Sequence, residues 1–376
     1  MDIFADKRTV MTLDAGGTNL VFSAIRGGEE IIEPVTLRSY PNDLQKCLKT
    51  ILEGFSKVAE ILSETPVAIS FAFPGPADYR AGIIGELPNL PAFTEEGVAL
   101  GPMLEDYFKL PTFIGNDGNL FAYGQTIAGA LPFINNHLQK RSIPKRYNNL
   151  IGITLGTGFG AGIVVNNSLC DGDNSSGGEI WLTRSVIDPT MFAEASVGSR
   201  ALQLAYAAKT TLSDRLPTPK EISEIAIGVR PGDRDAGICA FREMAKVIAE
   251  SLCNAVTLID GIVVIGGGMA GAYALMIDEI VSHMNGTIRN LDGNEIPRLV
   301  SRVYDLENEK SFDEFFKYES RQIPVPFSNR SVPYTSEKRI GIMKSRISTS
   351  KAISIGAYAV AMERLNTLAQ PHVMDA

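Results

Sequence analysis

Two short glycine-rich segments carry the residue types best suited to chemistry on a phosphorylated molecule. They read LDAGGT at 13–18 and LGTGFG at 155–160. A tight glycine turn exposes consecutive backbone N–H groups and lets an anion approach without a Cβ atom in the way. Each segment alone is also compatible with an ordinary hairpin turn. Because both stand in similar contexts, the pair predicts a clamp for the phosphates of one nucleotide.

Two aspartates are candidates for work beside such a clamp. Asp14 could hold, through water, a Mg²⁺ that bridges phosphate oxygens, and Thr18 offers a hydroxyl to the same group. Stabilising the turn is an equally common task for such an aspartate. Asp117 follows a predicted strand, between Asn116 and Asn119, where it could accept the proton of an attacking hydroxyl. The alternative role of Asp117 is to cap the next helix, and on bare sequence this is the more common role.

A third glycine run, GGGMAG at 266–271, formally satisfies the G-x-G-x-x-G pattern of a dinucleotide-binding fold and would predict an NAD(P)-dependent oxidoreductase. It falls late in the chain and would leave the other two glycine loops unexplained, so the phosphate clamp is favoured. The sequence has no Gly-Lys dipeptide, which excludes a Walker A loop. Glu179 and Glu194 resemble ordinary helix-end or surface carboxylates on spacing alone.

Hydrophobic periodicity indicates the elements that must position these residues. Two glycine-tipped β-hairpins are predicted at 9–25 and 149–165, as if one unit were duplicated. Buried strands are predicted at 67–73 and 111–116, and a further strand precedes the third glycine run. Helices are predicted at 43–63, 120–131, 198–208, 236–257 and 350–365. The polar stretch at about 290–348 is predicted to be an irregular insertion.

Composition limits the class of protein. The chain has 376 residues, a formal net charge of −8 and a pI near 5.2, without a basic cluster, so we expect two α/β domains and no nucleic-acid partner. The N-terminus MDIFADKRTV lacks the apolar core of a signal peptide, and no membrane span is indicated, so a cytoplasmic location is expected. Four scattered cysteines and three histidines suggest neither disulfides nor a zinc site.

Eight motifs follow one another along most of the chain. They are LDAGGTN at 13–19, FPGPAD at 73–78, NLP at 89–91, NDGN at 116–119, LGTGFGAGIVVNN at 155–167, GGE at 177–179, EASVGSRAL at 194–202 and IGGGMA at 265–270. In this order they resemble the ROK family (repressor, open reading frame, kinase) of sugar kinases, within the actin-like and hexokinase-like ATPases.

The resemblance implies an α/β fold with two ribonuclease H-like lobes, each a mixed five-stranded sheet with helices, and a cleft between them. We assign the small lobe to 1–116 plus 352–376 and the large lobe to 117–351. It further implies a glucokinase-like enzyme that uses ATP and Mg²⁺ to phosphorylate a hexose or N-acetylhexosamine, and a homodimer is the expected assembly.

The residues implied by the resemblance fall into three groups. Asp117 would be the general base, and Asp14 would hold the Mg²⁺. The implied sugar contacts are Asn89, Asn116, Asp117, Glu179 and Glu194. The implied nucleotide contacts are Asp14, Gly16, Gly17, Thr18 and Asn19 in the first loop, Gly156, Thr157 and Gly158 in the second, and Gly266, Gly267 and Gly268 beside the adenosine.

Two departures from the family pattern stand out. The family's G-E-x-G-H motif ends here in Leu182 instead of His, and no Cys or His lies between Thr183 and Ala193. We therefore expect no zinc, and one sugar hydroxyl loses its usual partner. A non-catalytic sugar sensor of the same fold stays an alternative. Only about 12 residues precede Leu13, so the helix-turn-helix domain of the family's repressors is not expected.

Overall fold

The structure is a computed structural model, described here for residues 3–16, 18–75, 77–85, 92–93, 96–211 and 215–369. Two residues predicted for the site, Gly17 and Asn89, lie outside the described residues. Within those ranges, no helix has the length and apolar character needed to cross a membrane.

Strands and helices alternate along the chain. The strands are β1 (Val10–Ala15), β2 (Asn19–Arg26), β3 (Glu29–Glu30), β4 (Val35–Arg38), β5 (Ala68–Ala72), β6 (Ala77–Asp78), β7 (Ile83–Ile84), β8 (Val98–Ala99), β9 (Thr112–Gly115), β10 (Leu150–Leu155), β11 (Phe159–Val165), β12 (Ser168–Leu169), β13 (Ile262–Gly266), β14 (Thr287–Arg289), β15 (Glu295–Pro297), β16 (Arg302–Asp305), β17 (Arg321–Pro324), β18 (Ser331–Tyr334) and β19 (Arg339–Lys344). The α-helices are α1 (Leu44–Ile61), α2 (Leu100–Phe108), α3 (Asp117–Ile127), α4 (Ala130–Lys140), α5 (Ser199–Ala207), α6 (Pro219–Ala226), α7 (Arg234–Ile259), α8 (Ile277–Met284), α9 (Glu309–Phe315) and α10 (Thr349–Ala369).

The chain divides into two compact units. The first comprises Met1–Gly129, Ser168–Gly178 and Ile347–Ala376, and the second comprises Ala130–Asn167 and Glu179–Arg346. α3 begins at the predicted lobe boundary, residue 117, but belongs to the first unit, where it packs against α10.

The sheet of the first unit has the order β3-β2-β1-β5-β9, and β4 also pairs with β2. The predicted hairpin at 9–25 is confirmed as the antiparallel pair β1–β2, whereas β5 and β9 run parallel to β1. Helix α1 covers one face through Cys47, Ile51, Phe55 and Val58, all buried at helical spacing. Asp43 caps this helix by accepting a hydrogen bond from the Lys46 N–H.

Helices α3 and α10 approach each other unusually closely. A Cβ atom added at Gly124 of α3 would lie 1.9 Å from the carbonyl oxygen of Ala352, and one added at Gly356 of α10 would lie 2.1 Å from that of Leu120. Only glycine at both positions allows this backbone separation. The glycine pair therefore brings the beginnings of the two helices together on the sheet of the first unit.

The second unit repeats this topology. Its sheet contains the order β11-β10-β13-β19-β16, in which β10–β11 is the predicted second hairpin and β13, β19 and β16 follow in parallel. Helix α7 supplies much of the adjoining core. The second sheet thus repeats the arrangement β2-β1-β5-β9 of the first.

The region predicted to be an irregular insertion is partly regular, so that expectation is wrong for two segments. β16 and β19 are strands of the second sheet, paired from Arg302↔Arg339 to Asp305↔Ile342. Their apolar residues, Val303, Ile340 and Ile342, are buried in the core. The short strands β14, β15, β17 and β18 and the helix α9 account for much of the remainder.

Candidate active site

The first glycine loop is a tight turn at the end of the β1–β2 hairpin. The last paired residues are Ala15 and Leu20, and the Gly16 N–H donates to the Asn19 carbonyl oxygen at 3.0 Å. A Cβ atom at Gly16 would lie 2.9 Å from that oxygen, which is too close for any side chain. The turn leaves the side chains of Thr18 and Asn19 exposed.

The start of α3 distinguishes the roles of two predicted site residues. The Asn116 side chain caps the helix, because its Oδ1 accepts from the N–H groups of Gly118 at 2.8 Å and Asn119 at 3.3 Å. The alternative role of Asp117 as the cap is therefore wrong. Asp117 occupies the first helical turn, and its Oδ1 accepts from the Gly118 N–H at 2.8 Å.

Asp14 and Asp117 line the same cavity of about 120 Å³. The carboxyl ends of parallel strands meet at one sheet edge, and both aspartates stand at that edge, Asp14 in β1 and Asp117 just after β9. The remaining lining residues are Thr12, Leu13, Ala15, Ala72, Phe73, Pro74, Ser350, Ile353 and Ser354.

The two carboxylates influence each other electrostatically. The Asp117 side chain keeps solvent access, yet the surrounding protein partly desolvates its carboxylate and raises its pKa. The negative charge of Asp14 raises this pKa further, and the hydrogen bond from the Gly118 N–H opposes both effects. A raised carboxyl pKa moves Asp117 toward the value that suits a general base near neutral pH.

In the second unit, the second and third glycine segments come together. Gly156 closes the turn of the β10–β11 hairpin by donating its N–H to the Gly158 carbonyl oxygen at 3.1 Å. The third segment follows β13, which pairs with β10 through Gly266 and Thr154. Gly267 has a φ of +87°, and a Cβ atom there would lie 2.3 Å from the carbonyl oxygen of Leu155. Glycine is required for this close approach.

Both predicted glutamates belong to the second unit and have hydrogen-bond donors. The Glu194 carboxylate accepts from the Phe159 N–H at 2.7 Å, which places it against the second glycine loop. The Glu179 carboxylate accepts from the indole N–H of Trp181. The Ala193 N–H donates to the Thr183 carbonyl oxygen at 2.7 Å, so the segments that carry the two glutamates run side by side.

The position of the family's zinc-binding histidine holds an exposed leucine. Leu182 is 57% exposed and has no donor atom for a metal. Elsewhere, the structure brings together Glu250, Cys253 and His283 with ligand atoms within 4.8 Å, a cluster that sequence spacing did not indicate. The Arg298 guanidinium lies 2.8 Å from a Glu250 oxygen in that cluster and opposes binding of a cation there.

Sequence reasoning missed several neighbours of the predicted site. Ser350 and Ser354 line the cavity of Asp117, although they begin a helix far along the chain. The Tyr79 hydroxyl lies 3.4 Å from the Asn116 amide nitrogen and donates to the Phe73 carbonyl oxygen at 3.0 Å. The position of Trp181, two residues after Glu179, was the sequence feature that could have indicated this neighbour.

Similarity to known proteins agrees with this arrangement. A crystal structure of a glucokinase from Parabacteroides distasonis is 49% identical, with 96% of this chain and 99% of that chain covered at a TM-score of 0.87. A glucokinase from Thermotoga maritima is 24% identical over 290 residues, which are 72% of this chain and 85% of the relative. A ROK family glucokinase from Streptomyces griseus, solved with glucose and AMPPNP, is 17% identical, with 93% and 98% covered and a TM-score of 0.56.

These structural neighbours confirm the predicted fold class, the two-lobed actin-like ATPase fold. The model of the ROK family matches residues 10–305, which is most of the chain. The protein therefore belongs to the ROK family.

Proposed function

We propose that this protein is an ATP-dependent sugar kinase that transfers the γ-phosphoryl group of Mg·ATP to a hydroxyl of a hexose or N-acetylhexosamine. The glucokinases among its relatives support a sugar kinase in general. The observation that carries the proposal is the shared cavity of Asp14 and Asp117 beside a glycine turn. A base and a metal-binding carboxylate beside a glycine-rich loop are parts that phosphoryl transfer uses.

Asp117 is proposed as the general base. It accepts the proton of the sugar hydroxyl while that oxygen forms a bond to the γ-phosphorus and the bond to the β–γ bridging oxygen breaks, so that ADP leaves. Its position in the first turn of α3, with its Oδ1 hydrogen-bonded to the Gly118 N–H, fixes the carboxylate. The cap by Asn116 holds that turn in place.

Asp14 is proposed to hold Mg²⁺ through water. The residues fit the ion, because the Asp14 side chain is exposed and its charge repels that of Asp117, a repulsion that a nearby cation would relieve. When bound, Mg²⁺ neutralises charge on the phosphate oxygens.

The glycine loops are proposed as the nucleotide contacts: Gly16, Gly17, Thr18 and Asn19 in the first unit, and Gly156, Thr157, Gly158 and Gly266 to Gly268 in the second. At Gly156 and Gly268, a Cβ atom would have no described protein atom within 4 Å. Neither the local packing nor a positive φ requires glycine there. Close approach of a ligand to the backbone explains glycine at both positions.

The sugar contacts stay a proposal that rests on the family pattern. They are Asn89, Asn116, Asp117, Glu179 and Glu194. The Oδ1 of Asn116 is occupied by the helix cap, so we assign its amide N–H group as the donor toward the sugar.

A coupled ADP-release assay with Mg·ATP tests the function. The acceptor panel contains hexoses, N-acetylhexosamines and ketoses at equal concentration, and release of ADP with at least one hexose or N-acetylhexosamine is expected. Sugar binding in calorimetry without ADP release would favour the non-catalytic sensor. Binding of NAD(P) without binding of ATP would favour the oxidoreductase.

Asp117→Asn tests the assignment of the base. The variant is expected to lose about 100- to 10,000-fold in kcat, because the amide cannot accept the proton. Asp235→Asn is the matched control, since Asp235 is an exposed acidic residue in the first turn of α7. Retained turnover in Asp117→Asn would contradict the assignment.

The thermal stability of Asp117→Asn separates loss of the base from loss of the fold. The pKa of the Asp117 carboxyl is raised in the folded state. Asp117 therefore stabilises the folded protein at a pH below its pKa in the unfolded chain, and this stabilisation is lost as the pH rises through its pKa in the folded protein. At a pH above the folded-state pKa the ionised Asp117 therefore disfavours folding, so there Asp117→Asn is expected to have a Tm equal to or above the wild-type value. If Asp117→Asn is inactive and also has a lower Tm than the wild type, unfolding explains the lost activity, and the expected effect of Asp117 on stability is wrong.

A further inference from the structure

We infer that the second unit contains a separate binding site for an organic phosphate that carries an aromatic ring. The site is a cavity of about 500 Å³, a volume typical of small-molecule pockets. Its walls come from the connection between α4 and β10 and from the region 301–339, which includes the hairpin β17–β18. All the residues that line it belong to the second unit.

The charge of the cavity favours an anion, although the protein as a whole has a net charge of −8. Lys145, Arg146, Lys338 and Arg339 line it, against the carboxylates of Asp260 and Glu337. Arg339 pairs with Glu337 at 2.7 Å, and among the described residues no carboxylate forms an ion pair with the other three cations. Outside the Arg339–Glu337 pair, three cations and one carboxylate, that of Asp260, therefore line the cavity, and the Arg146 guanidinium also donates to the carbonyl oxygens of Ile143 and Lys145 at 2.8 and 2.7 Å.

Aromatic rings line the same cavity. Tyr318 and Tyr334 are 40% and 44% exposed, and the Arg321 guanidinium lies 5.7 Å from the Tyr334 ring centroid. Tyr147 stacks on Phe315 with ring centroids 5.8 Å apart, and the Lys145 ammonium lies 5.1 Å from the Tyr147 ring centroid. Cations next to exposed rings suit a ligand that combines a phosphate group with a planar ring.

One wall of the cavity is held in place by hydrogen bonds within the protein. The Arg339 guanidinium donates to the carbonyl oxygens of Glu314 and Phe315 at 2.8 and 3.0 Å, at the end of α9. The Tyr147 hydroxyl donates to the Arg339 carbonyl oxygen at 2.8 Å. These bonds join the connection before β10 and the end of α9 to the strand β19, so little ordering of this wall opposes binding.

The cavity is distinct from the second glycine loop. Asn148 and Asn149 line it just before β10 begins, whereas the glycine loop follows the end of β10 at Leu155. Six strand residues separate the two ends by roughly 20 Å. A ligand in this cavity therefore does not occupy the proposed nucleotide contacts.

Methyl NMR on the full-length protein tests the site, with phenyl phosphate as the probe and inorganic phosphate and phenol as comparison ligands. Phenyl phosphate is expected to shift the methyl signals of Ile143, which lines the cavity, more than those of Leu155. Phenyl phosphate is expected to bind more tightly than phosphate, and phenol is not expected to bind. Increasing salt should weaken the binding.

The triple variant Lys145→Gln, Arg146→Gln and Lys338→Gln is expected to weaken phenyl phosphate binding by about 10- to 100-fold. The matched control removes three exposed cations of the second unit outside the cavity, by Lys220→Gln, Arg289→Gln and Lys310→Gln. The control should bind like the wild type. Equal weakening in both triple variants, unchanged binding in the first, or no shift at Ile143 would overturn the inference. Because the readout is binding, a protein without kinase activity still tests it.

Discussion

The close contact between α3 and α10 leads to a prediction opposite to the one from helix propensity. Gly124 lies inside α3, where alanine would ordinarily stabilise a helix by about 1 kcal/mol. In this fold the added Cβ atom would lie 1.9 Å from the Ala352 carbonyl oxygen, whereas ordinary contact begins near 3.4 Å. The helices would have to separate locally by roughly 1.5 Å to accept it.

We therefore expect Gly124→Ala to destabilise the protein. Overpacking of this kind costs about 3 kcal/mol when backbone must move. After subtraction of the helix-propensity gain, a net loss of about 2 kcal/mol corresponds to a Tm lower by about 4–8 °C for a unit of this size. Calorimetry measures the Tm, and urea unfolding measures the free energy independently.

The same substitution should lower kcat. The first turn of α3 carries Asp117, and the first turns of α10 contribute Ser350 and Ile353 to the cavity of that carboxylate. Separation of the helices would displace the base from its surroundings, and small displacements of a reacting group reduce rates strongly.

Two glycines extend this test. Gly271→Ala is the control, because no described atom lies within 4 Å of the added Cβ and its φ is not positive. It should leave the Tm within a few degrees of the wild-type value or raise it. Gly356→Ala should act like Gly124→Ala, since its Cβ would lie 2.1 Å from the Leu120 carbonyl oxygen. A Tm of Gly124→Ala at or above the wild-type value would refute the reasoning.

Two further predictions concern the electrostatics and positioning of the site. Asp14→Asn should lower the pKa of the Asp117 carboxyl, because the substitution removes a repelling charge. A ¹³C NMR titration of the ligand-free protein measures this pKa, and an unchanged or higher value would contradict the assigned cause. Trp181→Phe keeps an aromatic ring, although a smaller one, but removes the N–H that binds Glu179, so a several-fold higher KM for sugar is expected with KM for ATP nearly unchanged. Equal changes in both constants would argue against a role of Glu179 in sugar binding.

Local patterns in the sequence predicted several elements correctly. β-Branched and aromatic residues on both sides of the glycine tip indicated the β1–β2 hairpin, and the apolar spacing of Ile51 and Phe55 indicated α1. These features depend on residues that are close in the chain, so their physical causes can be read directly from it.

The pairing of strands that are far apart in the chain could not be predicted in this way. β16 and β19 lie in a polar region and form parallel neighbours, Val303 beside Ile340, although they are more than 30 residues apart. Parallel pairing has no turn between its strands to signal it. On bare sequence, capping of α3 was the commoner role for Asp117, but the structure gives that role to Asn116, which has the extended backbone of a cap; asparagine and aspartate cap equally well, so residue type could not distinguish them.

The glycine turns, the family and the candidate base could be predicted from the sequence, because turn conformation and motif order depend on consecutive residues. The fold was needed to show that Asp14 and Asp117 share a cavity and that the glycines of α3 and α10 set the helix separation there. It also showed Glu194 bonded to the second glycine loop. Repulsion, desolvation and close packing act through space, so residues that are far apart in the sequence control them.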